Sequence, residues 1–157
     1  MEECAPVTTP LPLKLYKDKE VTDEEEEGKV EQVEEEEKLF SDPTYFRSLA
    51  GKLQYLTLTR PDIQFAVNFV CQKMHAPTVT DFDLLKRILR YIRGTVTMGI
   101  KLNNNTDCKL RAYSDSDWAG CHSTRRSTGG YCTFLGNNLI SWSSRKHDTV
   151  SKSSTRS

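Results

Sequence analysis

The spacing of apolar side chains divides the chain at about residue 95. Between residues 41 and 94 apolar positions recur every three or four residues, a period that predicts three helices. From Thr95 onward apolar and polar residues alternate, which is typical of strands. Residues 1–39 show neither period. The pattern therefore predicts an α+β chain in which helices precede an antiparallel meander.

Short-range signals place the first two helices. Ser41 or Asp42 can cap the first helix, and Pro43 suits its first turn. Pro61 disfavours helical geometry in the residue before it, so a second helix is predicted over about 61–73. The predicted apolar faces of the three helices are Leu49, Leu53 and Leu56, then Ile63, Val67 and Val70, then Leu84, Leu85, Ile88, Leu89 and Ile92.

The third predicted helix carries a basic face. Thr80 is its predicted N-cap and Gly94 its end. Two interpretations of its bases stay open, a contact with nucleic acid and a solvated face near a helix C-terminus. The bases are Lys86, Arg87, Arg90 and Arg93. The string RILR within this helix also matches the short R-x-L-R string of some secreted pathogen effectors. On an amphipathic helix without a signal peptide, we interpret it as a chance match.

Four segments after Thr95 have the composition of strands: MGIKLN, KLRAYSD, GGYCTFLG and NLISWSS. They contain β-branched or aromatic residues, and Asn, Asp or Gly residues separate one segment from the next. Gly136-Asn137-Asn138 fits a tight hairpin turn between the last two. The bases Arg125, Arg126, Arg145 and Lys146 lie in the loops beside these last segments. They are candidates for phosphate contacts, with a role in surface solubility as the equal alternative.

Charge is distributed unevenly along the chain, although the net charge is zero. Residues 1–41 carry 14 acids and 5 bases, whereas residues 42–157 carry 8 acids and 17 bases. Residues 1–16 are rich in proline and predict an extended arm. Residues 17–39 predict a disordered acidic linker, because so dense a run of acids repels itself and cannot form a core. A basic domain with an acidic tail is typical of proteins that meet nucleic acid, although a solvated surface would also explain it.

Several classes of protein do not fit the sequence. The five cysteines show no spacing suited to zinc, so free thiols are expected. No apolar run approaches the roughly 18 residues of a membrane span, and the first residues lack the pattern of a signal peptide. We therefore expect a cytoplasmic or nuclear protein that is not secreted and has no membrane partner.

Three groups of motifs resemble the Pol polyprotein of copia-type LTR retrotransposons. The first group is YFRSLAGKLQYLTLTRPDIQFAV, which is similar to the family's Y-R-S-L-V-G-x-L-x-Y-L-T-x-T-R-P-D-I-x-x-A-V. The second group is MHAPTVTDFDLLKRILRYIRGT, which is similar to the family's M-x-x-P-x-x-x-H-x-x-x-x-K-R-I-L-R-Y-L-x-G-T. SDSDWAG, RRSTGG and ISWSSRKH resemble its S-D-A-D-W-A-G, R-R-S-T-S-G and I-S-W-x-S-K-K-Q motifs. The resemblance covers nearly the whole chain except the acidic insert. It implies a helical thumb/connection segment of the reverse transcriptase over 41–94, and a truncated ribonuclease H-like three-stranded antiparallel meander over 95–157.

The resemblance gives Asp115 the role of a metal ligand. Ribonuclease H chemistry uses two divalent ions at the phosphodiester, and Mg²⁺ needs several oxygen ligands. Asp115 matches the first-strand position that supplies the bridging ligand, and Asp117 of the same motif is the weaker candidate. An aspartate in a turn after a strand is the simpler explanation of both.

The family's further acids are expected beyond this sequence. Where the family reads S-S-T-E-A-E-Y, the chain reads SSTRS, so Arg156 occupies the first Glu position. The polymerase motif Tyr-Val-Asp-Asp is also missing from the sequence. We therefore expect a fragment that is catalytically inactive and binds no Mg²⁺ productively, whose parent performs RNA-directed DNA synthesis and hydrolysis of RNA–DNA hybrids. Two alternatives stay open: a domesticated non-catalytic nucleic-acid-binding protein, and a ribonuclease H completed by a partner chain.

Two further expectations depend on the resemblance. The loop bases would contact the phosphates of an RNA–DNA hybrid, which proteins recognise mainly through shape, backbone and 2′-hydroxyl groups. Without covering helices, one apolar face of the meander would stay exposed and invite self-association. That face is predicted to include Tyr113, Tyr131, Phe134 and Ile140.

Overall fold

The computed structural model describes residues 5–12, 38–104, 107–117, 125–148 and 150. This part of the chain forms three α-helices, one 3-10 turn and one three-stranded sheet. The helices are α1 (Pro43–Leu56), α2 (Gln64–Cys71) and α3 (Val79–Gly94), and the strands are β1 (Leu110–Ser116), β2 (Thr128–Leu135) and β3 (Asn138–Lys146). The predicted α+β class, with helices before an antiparallel meander, is confirmed.

The break between α1 and α2 follows the local signals. Asp42 caps α1 by accepting a hydrogen bond of 2.8 Å from the backbone N–H of Tyr45. The helix ends before Pro61, which begins a 3-10 turn. The second α-helix therefore begins at Gln64, three residues later than the predicted start, because the proline turn takes up the first residues of that segment.

α3 begins two residues earlier than predicted. Its N-cap is Thr78 rather than Thr80, because Thr78 and Asp81 form a reciprocal capping box. The Thr78 hydroxyl accepts the Asp81 backbone N–H at 3.2 Å, and the Asp81 carboxylate accepts the Thr78 backbone N–H at 2.9 Å. Leu39, in the last position of the predicted linker, pairs with Thr78 in an isolated antiparallel bridge. Residues 13–37 of the predicted arm and linker lie outside the described residues.

The hydrophobic core lies among the three helices. From the predicted faces, Leu53, Ile63, Val67, Val70, Leu85 and Ile88 are buried, and Leu49, Leu56, Leu84, Leu89 and Ile92 pack against them in half-buried positions. Phe46 and Tyr91 complete this core, and so does Leu11 from the N-terminal residues 5–12. The helical period therefore predicted part of the core in each helix; it missed Ala50 of α1, Ala66 of α2 and Tyr91 of α3.

The sheet has the order β1-β2-β3 with antiparallel pairing throughout. A two-residue turn at Gly136 and Asn137 joins β2 to β3, which confirms the predicted hairpin. The strand predicted over residues 98–103 is wrong. That segment has no regular structure, and its last residue, Asn103, bonds to the Asn138 side chain rather than to a strand backbone. Its apolar side chains line a cavity between the helices and the sheet instead of alternating across a sheet.

The exposed aromatic residues of the sheet lie on both faces. Tyr113 and Phe134 share one face, where their rings meet edge to face with centroids 6.0 Å apart. Tyr131 pairs with Ser114, so the strand period of two places it on the opposite face. Tyr113 and Tyr131 are 57% and 49% exposed. The single apolar face predicted from the sequence is therefore wrong in its membership, and self-association through it stays a prediction.

Alanine substitutions at two glycines should change stability in opposite directions. Gly136 has φ +57°, and an added Cβ would press on the carbonyl oxygen of Asp107. We expect Gly136→Ala to lower the free energy of unfolding by about 1–2 kcal/mol or more, the cost of an L-residue in the left-handed region plus the clash. Gly51 lies within α1, with nothing within 4 Å of an added Cβ. Gly51→Ala should raise the same quantity by about 0.5–1 kcal/mol. Urea unfolding of both variants checks this, and equal shifts of one sign would contradict it.

Candidate nucleic-acid interface

The two candidate acids, Asp115 and Asp117, lie at the end of β1 but make different hydrogen bonds. Asp115 pairs with Gly130 of β2, and its exposed carboxylate accepts only the neighbouring Ser116 backbone N–H among the described hydrogen bonds, at 2.9 Å. Asp117 is held against Thr128: its carboxylate accepts the Thr128 backbone N–H, and its own N–H donates to the Thr128 carbonyl at 3.1 Å. Asp117 therefore closes the end of the β1–β2 ladder.

The described residues do not fit a metal pair. Nowhere in this part of the chain do three or more His, Cys, Asp or Glu side chains come close enough to hold a metal ion. Mg²⁺ prefers several oxygen ligands, and catalysis by two ions needs carboxylates that bridge and flank them. An exposed Asp115, with Asp117 engaged by a backbone amide, does not provide such a set.

Two of the four bases on α3 hold the N-terminal segment 5–12. The Arg87 guanidinium donates to the Thr9 hydroxyl at 2.9 Å, and Arg90 donates to the Ala5 carbonyl at the same distance. Leu11 of this segment is buried in the helical core. The predicted basic face of α3 is therefore partly covered by the chain itself.

The other two bases of α3 are exposed. Lys86 forms an ion pair of 2.6 Å with Asp83 one turn earlier, and its ammonium lies 5.2 Å from the centroid of the Phe82 ring. Arg93 lies in the last turn, where a base also complements the helix dipole. These contacts favour the solvated-face interpretation of α3 over a nucleic-acid contact.

Three of the four bases that were predicted in loops meet beside α2. The loop placement is wrong for Arg145 and Lys146, which are the last two residues of β3. Arg126, Arg145 and Lys146 line a cavity of about 340 Å³ whose other walls are Asn68, Gln72, His147 and Asp148. Arg125 is exposed with φ +54°, and it is not among the lining residues. The sequence predicted these bases as candidates, but it gave no sign that the amide side chains of α2 would join them.

A second, larger cavity of about 800 Å³ adjoins the first. Its lining includes Asp115 and Tyr131, as well as Ser114 and Ser143. Arg145 and His147 line both cavities, so they form one continuous polar surface from α2 to β1. Asp115 therefore lines the same polar surface as Arg145, although its pairing with Gly130 directs its side chain to the Tyr113 face of the sheet, opposite Tyr131.

Sequence reasoning missed the buried charge network around Arg60. The Arg60 guanidinium is 5% exposed and makes two bonds to the Asp62 carboxylate, at 2.8 and 2.7 Å. It also donates to the carbonyl and the hydroxyl of Thr95 at 2.9 and 2.7 Å, and the Tyr91 hydroxyl donates to Asp62 at 3.0 Å. The hydrogen bonds from Arg60 lower the pKa of Asp62 below its ordinary value, and burial raises the pKa of Tyr91. The network ties the turn after α1 to the end of α3.

An apolar cavity of about 830 Å³ separates the helices from the sheet. Its lining is mainly aliphatic and includes Leu56, Ile92, Met98 and Leu139. Trp142 of β3 forms one wall, and its indole N–H donates to the Thr57 carbonyl at 3.0 Å. Trp142 therefore anchors the sheet on the end of α1, in agreement with a packing role.

Comparison with known proteins identifies the family. The chain is 51% identical over 115 residues to the retrovirus-related Pol polyprotein from transposon RE1 of Arabidopsis thaliana, which matches 73% of the chain and 8% of that protein. It is 53% identical over 155 residues to the uncharacterized mitochondrial protein AtMg00810 of the same plant, covering 99% of the chain and 58% of the relative. The chain belongs to the copia-type retrotransposon Pol family. It spans just over half of one of these relatives and under a tenth of the other.

A third relative carries a different name. The chain is 42% identical over 111 residues to secreted RxLR effector protein 161 of Plasmopara viticola, matching 70% of the chain and 78% of that protein. Neither a family model nor a solved structure matches this Pol segment. Among its described helices, none is both long enough and apolar enough to cross a membrane.

Proposed function

We propose that this Pol segment binds nucleic acid without cutting it. It would correspond to the thumb/connection helices and the first three strands of a ribonuclease H-like domain, in a parent that copies RNA into DNA and hydrolyses RNA–DNA hybrids. The observation that carries the proposal is the position of Asp115. It lies on a polar surface with Arg145 and His147, yet no described group of acids accompanies it.

The balance of charges on that surface favours binding over hydrolysis. Arginine and lysine side chains can neutralise phosphate groups in any sequence context. Cleavage of a phosphodiester by two metal ions would instead require clustered carboxylates, and the described carboxylates Asp115 and Asp117 do not supply them. A polyanionic partner in the cytoplasm or nucleus, such as an RNA–DNA hybrid, fits this surface.

The R-x-L-R string has a structural role in this proposal. Arg87 and Arg90, the two arginines of the string, are bonded to Thr9 and Ala5 of the N-terminal segment. They are therefore occupied within the fold. For this chain we propose that the string holds residues 5–12 against α3.

A cleavage assay tests the absence of catalysis. We expect the purified chain to leave a labelled RNA–DNA hybrid intact at millimolar Mg²⁺, and Asp115→Asn to behave in the same way. A salt titration of hybrid binding runs in parallel, because binding through phosphates weakens steeply as salt rises. Cleavage that requires both Mg²⁺ and Asp115 would contradict the proposal and favour a ribonuclease H completed by a second copy or a partner chain. No binding at low salt would reject the binding role.

A further inference from the structure

We propose that α2 and the end of the sheet together form a binding site for the sugar–phosphate backbone of nucleic acid. The site, here called the α2–β3 cradle, is the 340 Å³ cavity lined by Asn68, Gln72, Arg126, Arg145, Lys146, His147 and Asp148. The inference rests on the proposed binding role. It adds where the nucleic acid binds, which group of the nucleic acid is bound, and that α2 contributes to the site together with the sheet.

The charge of the cradle suits an anion. Three basic residues line it, Arg126, Arg145 and Lys146, against one acidic residue, Asp148. That carboxylate, Asp148, approaches Arg145 only to 3.8 Å, and both side chains are more than three-quarters exposed. Exposed ion pairs of this kind contribute little and are readily exchanged. A phosphate group can therefore take the place of Asp148 beside the Arg145 guanidinium, which can bind it through two parallel N–H donors.

The amide side chains make the cradle more than a basic patch. Asn68 and Gln72 are four residues apart at the end of α2, so they lie on the same face of the helix. Both line the cavity opposite the arginines. Side-chain amides donate to phosphate oxygens without adding charge, and they are common partners of the nucleic-acid backbone. Arginines on one wall and amides on the other would fix the position of a phosphate between helix and sheet.

The fold holds the arginine wall in place. The His147 backbone N–H donates to the Ser127 carbonyl at 2.8 Å, and Ser127 is fully buried. Arg126 precedes Ser127 directly, so this bond fixes its backbone beside the end of β3. The His147 imidazole lies against Gly129, where an added Cβ would collide with it. Arg126 and Arg145 therefore line the cradle from backbone next to this hydrogen bond between the start of β2 and the end of β3.

The adjoining cavity favours a polymer over a single small anion. Beyond Arg145 and His147 the polar surface continues past Ser143, Tyr131 and Ser114. Hydroxyl groups next to a phosphate site are suited to sugar oxygens, including the 2′-hydroxyl of RNA. A free phosphate ion would occupy only the cradle, whereas a backbone can extend along both cavities.

Two pairs of variants test the cradle in the full chain by fluorescence anisotropy with a labelled RNA–DNA hybrid. Asn68→Asp places a carboxylate in the cradle, and Gln54→Glu adds the same charge at an exposed position of α1, away from both cavities. We expect Asn68→Asp to weaken binding roughly fivefold or more and Gln54→Glu to change it less than twofold. Arg145→Ala should reduce the slope of log affinity against log salt by about 0.9 for each phosphate that the variant no longer neutralises. Arg47→Ala, on α1 outside both cavities, should leave the slope unchanged.

The outcomes separate this inference from the proposed function. If the wild-type chain does not bind the hybrid at low salt, both the binding role and the cradle are rejected. If it binds and Asn68→Asp matches Gln54→Glu, the binding role stands and the cradle is rejected. Inorganic phosphate is the competitor that tests the ligand group: at equal ionic strength it should displace the hybrid from the wild-type chain more than chloride does, and from Arg145→Ala no more than chloride does. Equal displacement of the hybrid from the wild-type chain by phosphate and chloride would reject the cradle as a phosphate site. Circular dichroism and melting temperature check that each variant is folded.

Discussion

Replacing Arg60 with methionine should lower the free energy of unfolding by about 3 kcal/mol. Methionine fills much of the same space but removes four hydrogen bonds, two to Asp62 and two to Thr95. The loss is large because the Asp62 carboxylate loses the buried Arg60 guanidinium as its partner. At 25% exposure, water can replace the lost hydrogen bonds of this carboxylate only in part. Equilibrium unfolding in urea, followed by circular dichroism at 222 nm as the usual helix signal, measures the change.

The pH dependence of the same variant separates the ion pair from packing. The Arg60 hydrogen bonds lower the pKa of Asp62 in the folded state, so their contribution is fully present above the unfolded value of about 3.9. It is lost as the pH falls through the lower, folded value. The stability difference between wild type and Arg60→Met should therefore be constant near neutral pH and shrink below about pH 4.

Two controls accompany the Arg60 measurement. Tyr91→Phe removes only the hydroxyl that donates to Asp62, and it should cost about 1 kcal/mol. Arg47→Met makes the same chemical change at an exposed position of α1 and should cost less than about 0.5 kcal/mol. A loss at Arg60 that is no larger than that at Arg47, or that stays constant down to pH 2, would contradict a stabilising role of the network.

The Arg60 network is a feature that local sequence signals could not predict. Pro61 predicted a break in the chain, and the break is present because the proline ring acts on its immediate neighbours. The bonds from Arg60 to Thr95, in contrast, join residues 35 positions apart. Such a partner depends on how α1 and α3 pack, and no local signal specifies it. Local signals likewise identified the Asp42 cap and the Gly136 turn, whose interactions span two or three residues.

The basic residues show the same limit at the candidate site. The sequence grouped Arg87 with Arg90 by helical spacing, and Arg126 with Arg145 by their predicted place in loops beside the last strand-like segments. The structure assigns the first pair to the N-terminal segment 5–12, which lies about 80 residues earlier in the chain. It brings the second pair to one cavity beside α2. Charge along the sequence therefore left a nucleic-acid contact and a solvated surface both open, and tertiary contacts decide which bases are held within the fold.

Sheet and helices meet at Trp142, and this contact should determine whether the meander is stable. A three-stranded sheet exposed on both faces is marginal in water, so it depends on apolar surface buried against another element. Trp142→Ala should lower the free energy of unfolding by about 2–3 kcal/mol, below the range for a fully buried tryptophan because this side chain is half-buried. Trp142→Phe keeps most of the ring and loses the bond to Thr57, so about 1 kcal/mol is expected.

Hydrogen exchange shows where the loss of Trp142 acts. In Trp142→Ala the amides of β2 and β3 should exchange faster, while those of α2, whose Val67 and Val70 belong to the helical core, should change little. Tyr131→Ala is the matched control, because this aromatic residue lies on the opposite face of the same sheet and is half exposed. If Tyr131→Ala destabilises the strands as much as Trp142→Ala, the sheet does not depend on its anchor to α1. If only Trp142→Ala destabilises the strands, the contact with the helices stabilises the end of the sheet where Arg126 and Arg145 lie beside α2. The same variant should then also weaken binding of the hybrid.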